Sequence, residues 1–122
     1  MGRTRLEVGM YSFACGDAAR LAGFWSQVLE RPVDDGATSE FATIGLDDEG
    51  PTWLFIRSDD VPDGRNRLML DLSGEEEWRE QADRVEELGA TRVADHEVRG
   101  ARWAELRDPE GNTFRIFGPR PA

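Results

Sequence analysis

The same order of elements is written twice along this chain, and that duplication limits the folds open to it. In the first half, Arg5–Phe13 alternates, with Leu6, Val8 and Met10 on one face and Gly9, Tyr11 and Phe13 on the other, which predicts a strand. Asp17 then caps a helix running to about Glu30, with Leu21, Phe24, Trp25 and Val28 at helical spacing. Pro32 stops it, because proline disfavours helical geometry in the residue before it. Three strands are expected next, Arg31–Asp35, Glu40–Leu46 and Thr52–Arg57, with Gly36 and Asp47–Pro51 supplying the turns.

After Val61–Arg65, which carries Pro62 and Gly64 and reads as a linker, the order begins again. Arg67–Leu72 sets Leu68, Leu70 and Leu72 against Arg67, Met69 and Asp71. Ser73 and Glu76 have the spacing of a capping box, and Trp78, Ala82, Val85 and Leu88 form a helical stripe closed by Gly89. Strands over Thr91–Val98, Arg102–Arg107 and Thr113–Phe117 complete the half, the last two joined by a turn at Asp108–Asn112. A shift of about 59 residues lays Met10 on Met69, Asp17 on Glu76 and Leu29 on Leu88. Few residues are identical between the halves, so what repeats is the pattern.

These halves predict one α+β domain over residues 1–122, with module one at about 5–58, a linker at about 59–65 and module two at about 66–118. A chain of 122 residues hides roughly two-thirds of its unfolded surface, which suffices for an ordinary core. The lone Cys15 forms no internal disulfide, and it reads as a buried structural thiol. Residues 1–5 lead directly into the alternating segment rather than a long apolar run, so neither a signal peptide nor a membrane span is expected, and the expected location is the cytoplasm. Fifteen basic against 25 acidic residues give a net charge of −10, which repels nucleic acid and anionic lipid, so neither is an expected partner.

Three stretches carry a family likeness: DAARLAGFW at Asp17–Trp25, NRLMLDL at Asn66–Leu72 and WAELRDPEGNTF at Trp103–Phe114. In their order and spacing they resemble the vicinal oxygen chelate superfamily, which holds the glyoxalase and bleomycin-resistance proteins. The resemblance covers nearly the whole chain and implies two βαβββ modules whose mixed sheets curl around a cavity, in a homodimer. It also implies a divalent metal held by His, Gln or Glu on the first and last strands of each module. This chain departs from that pattern, because the corresponding positions are Met10, Ile56, Met69 and Arg115. A guanidinium has no acceptor to offer a cation, and neither thioethers nor an alkyl group suit a hard divalent ion. No metal or other cofactor is therefore expected.

The candidate ligand-binding residues are Met10, Ile56, Met69, Trp103 and Arg115. Met10, Ile56 and Met69 read equally as an adaptable apolar cavity floor or as filler of a collapsed one. Arg115 reads as a grip on a ligand carboxylate, phenolate or carbonyl, or as half of an ion pair with Asp71 or Glu105. Trp103 reads as lining or core, whereas Trp25, Trp53 and Trp78 read as core. His96, the only histidine, follows Asp95 in a polar stretch and reads as surface. Three functions stay open: sequestration of an apolar, aromatic small molecule without metal; a metal-free isomerase, cyclase or lyase using Arg115 with Asp71 or Glu105; and a vestigial or regulatory dimeric domain.

Overall fold

A computed structural model describes residues 6–60, 66 and 68–121. The chain divides into two compact units, Met1–Val61 and Pro62–Ala122. In the first unit the elements are β1 (Met10–Cys15), α1 (Ala18–Leu29), β2 (Phe41–Ile44) and β3 (Thr52–Arg57). In the second they are β4 (Leu70–Ser73), a 3₁₀ turn at Glu75–Glu77, α2 (Trp78–Leu88), β5 (Thr91–Val98), β6 (Ala101–Arg107) and β7 (Thr113–Phe117). The expected linker Val61–Arg65 lies outside the described residues, as does Arg67.

Both units have one topology. The first strand lies parallel to the last, and the last is flanked on its other side by an antiparallel neighbour, giving orders β1-β3-β2 and β4-β7-β6-β5. The fourth strand of the first unit is reduced to a single bridge, Val33 to Ile44. The expected strand Arg31–Asp35 is thus corrected to that bridge. Pro32 has no N–H to donate to a ladder, and Asp34 ties the segment to β2 instead. Its backbone N–H donates to the Thr43 carbonyl at 2.9 Å, while its carboxylate accepts from Thr43 Oγ1 at 2.7 Å and from the Leu46 N–H at 2.9 Å.

Each helix covers one face of its sheet. Asp17 caps α1 by accepting from the Arg20 N–H, and Glu30 closes it in the left-handed region. Leu21, Phe24, Trp25 and Val28 are buried on α1, and Ala42, Ile44, Trp53 and Phe55 are buried on β2 and β3. Phe13 stacks at 5.0 Å on Phe55 and 5.7 Å on Trp53, and Trp25 packs 5.4 Å from Trp53. Cys15 is fully buried and donates to the Ile56 carbonyl. In the second unit Trp78, Ala82 and Val85 of α2 are buried, as are Ala104, Leu106, Phe114 and Ile116 of its sheet.

Several boundaries move from the sequence expectation: β2 is Phe41–Ile44 rather than Glu40–Leu46, and β4 is Leu70–Ser73 rather than Arg67–Leu72, with Arg67 outside the described residues. The first strand runs Met10–Cys15 rather than Arg5–Phe13, because its partner β3 starts at Thr52, opposite Met10, and continues to Arg57, opposite Cys15. Leu6 and Val8 alternate with nothing to pair against and are exposed. The capping box does not form: Ser73 stays in β4 opposite Phe117, and the 3₁₀ turn intervenes before α2. Among the described residues no helix is long and apolar enough to cross a membrane.

Candidate functional site

The face of the second sheet turned away from α2 gathers most of the chain's unusual side chains. Strand alternation decides which residues reach it. Leu70, Leu72, Phe114, Ile116, Ala104 and Leu106 take the α2 side, so their neighbours Asp71, Ser73, Arg115, Phe117, Trp103 and Glu105 take the other. A register irregularity between Arg92 and Ala94 sets Ala94, His96 and Val98 of β5 opposite Glu105, Trp103 and Ala101.

Two rows of side chains therefore cross the strands. The polar row runs Asp71, Arg115, Glu105. Arg115 Nε donates to Asp71 Oδ1 at 2.7 Å and Nη2 to Oδ2 at 2.9 Å, a side-on, two-bond pair. These bonds to Asp71 hold the guanidinium above its ordinary pKa against the opposing effect of burial, and the charges of Asp71 and Glu105 add to them. Glu105 in turn lies 2.8 Å from His96 Nε2. The two carboxylates considered for proton transfer are each already engaged, one by a guanidinium and one by an imidazole.

The aromatic row runs Phe117, Trp103, His96. Trp103 and Phe117 stack at 5.2 Å with planes 26° apart, and His96 and Trp103 at 5.2 Å with planes 23° apart. One ring stands on each of three neighbouring strands, close to the ~4.8 Å strand spacing. Arg115 leans over this row, its Cζ 5.2 Å from the Phe117 centroid and 5.9 Å from that of Trp103. The surface reading of His96 is corrected here: it is half-buried, bonded to Glu105 and stacked on Trp103.

A groove of about 620 Å³ opens beside these rows, where β4 and β7 end and β6 begins; Asp71, Ser73, Phe117, Arg102 and Arg120 border it. That volume falls in the ~300–1,000 Å³ range of small-molecule sites. Of the residues singled out from sequence, the structure brings together Trp103, Arg115, Asp71 and Glu105. Met69 directly precedes β4 and is half-buried. Met10 and Ile56 belong to the first unit, on the face of its sheet away from α1, at opposite ends of the β1–β3 pairing, and both are about half exposed.

The metal implied by the family resemblance does not fit these residues. Ile56 has no donor atom, Met10 and Met69 offer thioethers suited to soft ions, and Arg115 presents only N–H groups, two of them bonded to Asp71. Among the described residues no group of three or more His, Cys, Asp or Glu is placed to hold an ion.

The duplicated βαβββ topology is that of a glyoxalase-type fold. The chain belongs to the glyoxalase-like domain family, whose model matches residues 10–117 and so spans both units, within the vicinal oxygen chelate superfamily. It is similar to a glyoxalase/bleomycin resistance protein/dioxygenase family enzyme from Burkholderia phytofirmans, with a TM-score of 0.77 at 19% identity over 93% of this chain and 98% of that one. It is also similar to the fosfomycin resistance protein FosX from Mesorhizobium loti (TM-score 0.69, 13% identity, 98% and 95% covered). A third is TnmS3, an antibiotic-binding protein from a Streptomyces species (TM-score 0.68, 16% identity, 98% and 100% covered). At these identities the likeness shows the fold. No curated protein matches the chain.

Proposed function

We propose that this protein binds a small aromatic molecule without metal, in the manner of a sequestering protein of the bleomycin-resistance kind. The observation that carries the reading is Arg115, held side-on by Asp71 while leaning over the Phe117 and Trp103 rings. Such a group is oriented before any ligand arrives, which lowers the ordering cost of binding. Asp71 takes Nε–H and one Nη2 hydrogen, which leaves three N–H donors on the guanidinium. A ring laid against the aromatic row and carrying a carboxylate, phenolate or carbonyl oxygen meets both kinds of surface. The resistance and antibiotic-binding proteins among the similar structures fit a ligand-holding role on this fold.

The test compares 2-naphthoate with its neutral analogue 2-acetylnaphthalene by calorimetry and Trp fluorescence. Arg115→Ala is expected to weaken the acid about tenfold or more, and the ketone by clearly less. Equal losses for both, or no binding of either by the unaltered protein, overturn the proposal.

A further inference from the structure

The aromatic row has one ring on each of three adjacent strands and stops at the fourth. On β4 the residue in register with Phe117 is Ser73, on the same face. Ser73 is exposed and small, so no side chain of ring size stands on β4 beside Phe117, whose ring stacks on Trp103 and has the Arg115 Cζ 5.2 Å from its centroid. Ser73 and Phe117 both border the groove of about 620 Å³. The next ring-sized position of the stack therefore coincides with the groove.

We infer that this position is the seat of the ligand's ring: a planar aromatic of one or two fused rings lies over Ser73, stacks on Phe117 and continues the row on β4. The inference rests on the binding function proposed above and specifies its place and ligand class. The spacing supports it, since the two existing steps are both 5.2 Å and a fourth ring at the same step stands above β4. The polar surroundings set the ligand's edge. Asp71 lies two residues before Ser73 on the same face, and Arg115, bonded to Asp71, sits 5.2 Å from the Phe117 centroid. An acceptor oxygen on the near edge of the ring meets the N–H groups that Asp71 leaves on Arg115. With Asp71 paired to Arg115, the groove's remaining charges are Glu75 against Arg102 and Arg120, an excess of one positive charge. The groove selects a flat ring with one acceptor group in preference to a polyanion or a polycation. The tail beyond β7 forms the far wall and is fixed by the Gly118 N–H donating to the Arg102 carbonyl at 3.0 Å.

The test uses 2-naphthoate and its saturated counterpart decahydro-2-naphthoate as probes on the full chain. The unaltered protein is expected to bind the aromatic acid about tenfold more tightly than the saturated one. Ser73→Trp puts an indole where the ligand ring belongs and is expected to weaken 2-naphthoate at least about tenfold. Phe117→Leu gives an independent measure, because it removes the stacking face and is expected to erase the preference for the aromatic acid. Nuclear Overhauser contacts from naphthalene protons to the Phe117 ring and the Ser73 Hβ protons locate the ring directly. If Ser73→Trp binds 2-naphthoate normally while Arg115→Ala does not, the ligand sits elsewhere on this face; the inference falls and the proposed function stands. If the unaltered protein binds neither acid, both fall together.

Discussion

Arg115 and Asp71 meet through two parallel hydrogen bonds across the β4–β7 pair, in direct register with one another. The position where the family resemblance implies a metal ligand holds a cation here, and its immediate neighbour is the anion that balances it. The pair is partly open, with about a quarter of the Arg115 side chain and nearly half of the Asp71 side chain exposed.

Partial exposure makes the pair more important for orienting Arg115 than for holding the fold. Asp71→Asn is expected to cost less than about 1 kcal/mol of stability, because half-exposed ion pairs are screened by water. Its effect on binding is expected to be the larger one. With the carboxylate that holds it neutralised, Arg115 loses its fixed orientation and should bind 2-naphthoate more weakly. Titrations at low and moderate ionic strength check this. A gain of affinity would mean that removing a competing carboxylate outweighs holding the guanidinium in place.

The donor chemistry gives a second expectation. Incubation with Ni²⁺, Zn²⁺, Mn²⁺ or Fe²⁺ followed by desalting should leave clearly less than one metal per chain, measured by elemental analysis. Met10, Ile56, Met69 and Arg115 present no set of hard or borderline ligands. Stoichiometric retention of any of the four ions would contradict that reading and return metal-assisted chemistry to first place.

Much of this arrangement was legible in the sequence, and the failures have physical causes. Both helices announced themselves through Asp17, Gly89 and their apolar stripes, and β3, β5 and β7 fell where alternation placed them. Alternation also put Arg115 on the face of Asp71, and the ion pair follows from that. Leu6 and Val8 misled because a strand needs a partner as well as a pattern, and β3 begins only at Thr52, opposite Met10. His96 was misread because sequence alone gives no pairing register. Once His96 is known to lie opposite Trp103 in β6, its parity with Ala94 and Val98 brings it to the ringed face. The gap at Ser73 was invisible for the same reason, since it exists only relative to Phe117 across the strand pair.

Two glycines separate backbone freedom from crowding. Gly23 lies within α1, and a methyl group added there meets nothing within 4 Å. Gly23→Ala is expected to stabilise the protein by about 0.5–1 kcal/mol, by narrowing the unfolded ensemble and favouring the helix. Gly74 has an ordinary backbone, but a methyl group there lies 2.7 Å from Trp78 Cα and 2.9 Å from Ile116 Cγ2. Gly74→Ala is expected to cost about 1–3 kcal/mol through overpacking. Urea unfolding of both variants checks the opposite signs, and destabilisation by Gly23→Ala would show that α1 is more crowded than its geometry indicates.

Asp34 gives the first unit a defined pH response. The Thr43 hydroxyl, then the Leu46 N–H, favour its carboxylate form and lower its pKa from the ordinary 3.8, with partial burial opposing them. A carboxyl group depressed in the folded state binds its proton more weakly there than in the unfolded chain. Its stabilisation is therefore fully present above the unfolded value of 3.8 and is lost as pH falls through the lower folded value. Asp34→Asn removes that titration. The stability difference between the unaltered protein and this variant should be constant from about pH 6 to pH 5, at up to about 1 kcal/mol, and should shrink below about pH 4. Urea unfolding at each pH measures it. A difference that stays level down to about pH 2.5 would show that Asp34 contributes through hydrogen bonds that Asn reproduces or breaks at every pH, and that its ionisation does not stabilise the bridge between Val33 and Ile44.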